Sequence, residues 1–72
     1  MPLKMRLPDA IVYVLCRAAR GMTTDQIAAV INEERLHVRL DGNPVSSKQV
    51  YAVICRHPAT FVKDAGLIRL IM

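Results

Sequence analysis

The chain has no tryptophan, and in 72 residues its only aromatic side chains are Tyr13, Tyr51 and Phe61. An interior built from stacked aromatics is excluded, so aliphatic side chains must fill it. Cysteine is equally scarce. Cys16 and Cys55 stand far apart, without the Cys-x-x-Cys or His-x-x-x-His spacing that zinc sites favour. Cys16, His37, Cys55 and His57 can be written as a ligand set, but the spacing argues against it, and both cysteines read as small reduced hydrophobes. Three glycines form no phosphate-cradling loop. The longest apolar run, Ala10 to Cys16, is far too short to span a bilayer and is closed by Arg17. No apolar run with a small-residue cleavage site follows Lys4 and Arg6, so no signal peptide is expected. A cytoplasmic protein without a membrane partner is the expectation.

Acidic residues are also in the minority, six against ten Lys and Arg, which gives a net charge of +4 and a pI near 9.6. A positive field on so small a domain favours polyanions over acidic proteins. Asp9 and Asp25 are explained by helix starts, and Glu33 and Glu34 by a solvated helix end. No Ser-His-Asp arrangement comes with a supporting motif, so the chain reads as a non-enzyme with no cofactor and no metal.

What is present is aliphatic: 53% of the residues are hydrophobic, enough for a core and too many for disorder. A chain this size buries only about 60% of its unfolded surface, so one compact domain is expected over 8–72, after a short basic leader at 1–7. Ile11, Val14, Leu15 and Ala18 repeat at helical spacing, with Asp9 as cap or Pro8 in the first turn and Gly21 as the left-handed stop. Thr23 and Gln26 form a capping box ahead of Ile27, Val30 and Ile31. Met22 is placed to bridge the two helices and to lend a very short strand. Ser46 and Gln49 repeat the capping logic ahead of Val50, Val53 and Ile54, and Pro58 ends that helix. Helices are therefore expected near 9–20, 24–35 and 46–57. Between the second and third, Leu36, Val38 and Leu40 alternate with His37 and Arg39, which reads as an extended loop with the apolar side inward and His37 and Arg39 outward. Asp41-Gly42-Asn43-Pro44 turns it. Phe61-Val62 and Leu67 to Ile71, separated by Asp64-Ala65-Gly66, read as a hairpin over about 60–71, with Ile68 and Leu70 inward and Leu67 and Arg69 outward. The expected core is Ile11, Leu15, Ile27, Ile31, Val50, Ile54, Phe61, Ile68 and Leu70. The fold class is α+β: a small winged helix of three helices followed by a C-terminal β-hairpin.

Five stretches carry a resemblance to a family: Met22-Thr23-Thr24-Asp25-Gln26-Ile27-Ala28; Leu36-x-Val38-Arg39-x-Asp41-Gly42-x-Pro44-Val45; Gln49-Val50; Arg56-His57-Pro58-x-x-Phe61; and Ile68-Arg69-Leu70. Together they resemble the HARE-type winged helix-turn-helix domain across roughly residues 8 to 71. The resemblance implies a winged helix serving as a DNA-associated adaptor, often fused to enzymes that modify or cut DNA.

The residues themselves offer a matching surface. On the outer face of the third helix stand Ser47, Lys48, Tyr51, Ala52 and Arg56. Helix-terminal amides and Lys48 suit a phosphate, and Tyr51 and Arg56 could reach bases or backbone. Arg39 in the loop and Lys63 and Arg69 on the wing would add phosphate contacts. Duplex DNA is the expected partner. The rival is a protein-interaction module that uses the winged-helix surface or the apolar strand Leu67 to Met72, read as a sheet edge.

Overall fold

The computed structural model of the protein describes residues 5 to 71. Three helices, α1 (Leu7–Ala18), α2 (Thr24–Glu34) and α3 (Ser47–Arg56), are followed by strands β1 (Phe61–Asp64) and β2 (Leu67–Leu70). The strands form an antiparallel pair, with Phe61 opposite Leu70 and Asp64 opposite Leu67. This is the winged-helix layout: a helical trio with a hairpin packed beside the third helix.

Both expected capping boxes are made. The Thr23 side chain accepts from the Gln26 amide at 3.1 Å while Gln26 accepts from the Thr23 amide. Ser46 and Gln49 do the same at the start of α3. These contacts satisfy amides that a helix start otherwise leaves without partners. At the start of α1 Pro8 lies in the first turn, and the cap position is Arg6, without a side-chain bond, rather than Asp9. Met5 and Leu7 pack against the core, and the Met5 amide donates to the Leu36 carbonyl. The fold therefore begins before residue 8, and residues 1–4 of the basic leader lie outside the described residues.

The interior is aliphatic, as the shortage of aromatics requires. Ile11, Ile27, Ile31, Val50 and Ile68 have no exposed surface, and Leu15, Ile54 and Phe61 are nearly as buried. Leu70, expected among them, is only half-buried against the cluster. Arg17 clamps α1 to α2 through a bidentate pair with Glu34 and lies 5.2 Å over the Tyr13 ring. That pair holds the Glu34 carboxyl below its ordinary value, chiefly by hydrogen bonding.

Two expectations fail for non-local reasons, and a third holds only in part. Helix α1 stops two residues early, with Ala19 rather than Gly21 in the left-handed conformation (φ 55°). Gly21 is needed for space instead: a Cβ there would stand 3.0 Å from Leu67 Cβ and 3.2 Å from Arg69 Cγ. The 36–45 connector inverts the expected sidedness. His37 turns in, its Nδ1 2.7 Å from the Met5 carbonyl, while Val38 is exposed and Leu40 fully so. Leu36 alone of the three apolar residues packs on the core. The segment is not a strand, so no period of two governs its side chains. Finally, β2 is an edge of the two-stranded sheet, as expected, but that edge is engaged at one point. The Met22 and Ile68 amides each donate to the other's carbonyl, so β2 lies between Met22 and β1. Met22 thus supplies the short strand the sequence allowed.

Candidate nucleic-acid interface

Helix α3 faces inward through Val50 and Ile54, with Val53 half-buried beside them. At about 100° per residue the opposite half-turn carries Ser47, Tyr51, Cys55, Lys48, Ala52 and Arg56 in angular order. All are exposed except Ser47, which is half-buried. Every α3 residue proposed from the sequence thus lies on the outer half-turn, with Ser47 and Arg56 at its two borders. Cys55, which the helical angle also puts on the outer side though its residue type reads as a small hydrophobe, is an exposed free thiol near its centre.

The wing closes on this face through β1. Phe61 and Lys63 are two apart on a strand and share a hairpin face. Phe61 is buried and meets the His57 ring edge-on at 6.5 Å, which seats β1 against the end of α3. Lys63 is thereby carried over Tyr51, its Nζ 5.0 Å from the ring centroid, within cation–π range. Interaction with the Cys55 thiol one turn on raises the Tyr51 phenol above its ordinary value. No acidic residue lies on α3. Lys48, Arg56 and Lys63 therefore bring positive charge to a surface whose own helix contributes none of the opposite sign.

Arg39 reaches this surface only at its edge. It donates to Gln49 Oε1 at 3.1 Å and to Asp41 at 2.6 Å, and its side chain is 31% exposed. Asp41 also accepts from the Asn43 amide, and its carboxyl lies below its ordinary value, chiefly through that bond. Arg39 therefore ties the connector to the start of α3 with its charge largely matched. A residue missed by sequence reasoning completes the positioning. Asn32 on α2 donates to the Val45 carbonyl at 2.9 Å and accepts from the Val45 amide at 2.8 Å. With Val45 buried, this two-way clamp sets where α3 begins. An amide beside the buried Ile31 was the available signal.

Arg69 lies elsewhere. It pairs with Val62, whereas Lys63 pairs with Ile68, so alternation puts Arg69 on the opposite hairpin face from Lys63. It packs over Gly21 and shares a groove with Arg20. The structure brings Lys48, Tyr51, Ala52, Arg56 and Lys63 together, sets Ser47 and Arg39 at their margin, and leaves Arg69 apart.

Among the described residues no three His, Cys, Asp or Glu side chains gather into a metal-binding group, and no helix is long and apolar enough to cross a membrane. No family model, curated protein or solved structure matches this chain.

Proposed function

We propose that this domain binds nucleic acid, in the first instance duplex DNA, through the outer face of α3, and acts as a non-catalytic regulator or adaptor of transcription. One observation carries the reading: Lys63 reaches over Tyr51 on the outer half of α3, which also bears Lys48 and Arg56 and no carboxylate. Cations at such a surface neutralise phosphates and release counterions, a sequence-independent contribution to affinity. The first-turn amides of α3 add donors at the positive end of the helix dipole. Tyr51, 44% exposed, offers a flat apolar surface and a hydroxyl for the sugar or base edge. The resemblance to HARE-type domains points the same way. A cytoplasmic location accords with two exposed free thiols, which suit a reducing compartment.

A backbone NMR titration with a short duplex at low salt tests the proposal. Shifts should centre on Lys48, Tyr51, Ala52, Arg56 and Lys63. An absence of shifts, or shifts confined to α1, refutes it. A protein-adaptor role then takes precedence, favoured by the exposed Val38 and Leu40 on the connector rather than by β2, whose second edge is engaged by Met22.

A further inference from the structure

A second surface lies between the C-terminal end of α1 and β2. There a groove of about 560 Å³ opens to solvent, with Leu15, Ala19 and Leu70 as its apolar lining and Arg20 and Arg69 as its charged one. No carboxylate lines it, and neither arginine takes part in an ion pair among the described residues. Gly21 is what lets the two walls meet. Without a side chain it allows the Arg69 stem to lie against the turn after α1, and a Cβ would come within 3.2 Å of that stem. The Met22–Ile68 bridge next to it holds β2 in place.

We propose that this groove docks a protein segment that carries acidic residues beside a large apolar side chain. The chemistry of the lining selects that occupant. Ala19 and Leu70 offer apolar surface, while two guanidiniums from separate elements present planar donor forks that match carboxylates. The volume falls within the range of binding clefts, about 300–1,000 Å³, and is ample for one large apolar side chain. The groove's openness suits a peptide running across it. Because Arg69 and Lys63 point to opposite faces of the hairpin, this site and the α3 surface can be occupied together. The inference does not rest on nucleic-acid binding by α3.

The chain's two cysteines report on the two surfaces separately. Cys16 lines the groove and Cys55 lies at the centre of the α3 face, and both are exposed. Alkylation with iodoacetamide, followed residue by residue by peptide mass spectrometry, is measured on the intact protein. The probes are a capped peptide of alternating glutamate and leucine, its glutamine counterpart, and a short DNA duplex. At about ten times its Kd the glutamate peptide should slow Cys16 alkylation about tenfold. It should leave Cys55 unchanged, and the glutamine peptide should protect far less. The double variant Arg20→Gln with Arg69→Gln, both exposed positions, should melt like the parent and lose the protection. Three results would overturn the proposal. One is no protection of Cys16 at about 1 mM glutamate peptide, which would place any affinity weaker than about −4 kcal/mol. Another is equal protection by the glutamine peptide. The third is protection of Cys16 by the duplex in competition with the peptide, which would assign the groove to nucleic acid.

Discussion

Charge substitutions on the outer face of α3 give the sharpest test of how the fold arranges its cations. Arg39 is matched by Asp41, and Arg69 lies on the far face of the hairpin, so Lys48, Arg56 and Lys63 are left to meet phosphates. Three neutralised phosphates at about −0.9 each give a log-log salt slope of about −2.7 for duplex DNA. Raising salt from about 50 to about 200 mM should then weaken binding about 40-fold. Lys48→Gln should bring the slope to about −1.8, because one contact is lost. Arg69→Gln should change it far less, although both substitutions remove the same charge from the chain. Lys48→Glu with Arg56→Glu should abolish binding while the fold stays intact, since both side chains are exposed. Fluorescence anisotropy with a labelled duplex, repeated across a salt series, measures every slope. A slope near zero would sink the nucleic-acid reading. An effect of Arg69→Gln as large as that of Lys48→Gln would show that the arginine belongs to the same interface, against its position in the hairpin register.

The other predictions concern stability. Phe61→Ala removes a ring that is 4% exposed and should cost about 3–5 kcal/mol. A 72-residue domain has on the order of 4–11 kcal/mol in total, so thermal melts should show the variant partly or wholly unfolded. An unchanged melting temperature would remove Phe61 from the core. Ala65 has φ 52° ahead of Gly66 at φ 80° in a two-residue hairpin loop, the type I′ arrangement that favours Asn-Gly. Ala65→Asn should therefore raise stability in urea titrations, by up to about 1 kcal/mol; a loss of stability would contradict the turn assignment. Glu34 and Asp41 have carboxyls lowered in the folded state, so their contribution is complete above the ordinary carboxylate range and is lost as pH falls through the folded values. Melts between neutral pH and about pH 3 should fall less steeply for Glu34→Gln than for the parent, and parallel curves would show that the Arg17–Glu34 pair does not stabilise the fold.

Short-range chemistry made much of the fold legible in the chain. The capping boxes at Thr23 and Ser46 join residues three apart, and the hairpin turn at Ala65-Gly66 closes over two residues. Their geometry is therefore written in adjacent positions. The aliphatic faces of the helices follow from the same logic, since helical spacing alone aligns Val50 with Ile54 and turns Lys48, Tyr51 and Arg56 the other way. Tertiary structure decided whatever depends on a distant partner. Gly21 looked like a helix stop, yet its lack of a side chain serves the approach of Leu67 and Arg69, more than forty residues away. His37 and Arg39 looked outward, but the Met5 carbonyl and Gln49 draw them in and leave Val38 and Leu40 exposed. Lys63 and Arg69 looked like two cations on one wing. Strand register, set by the pairing of β1 with β2, sends one over Tyr51 and the other into the groove beside Arg20. A sequence carries its periodicities and caps locally, but which face meets which follows from packing elements that are far apart along the chain.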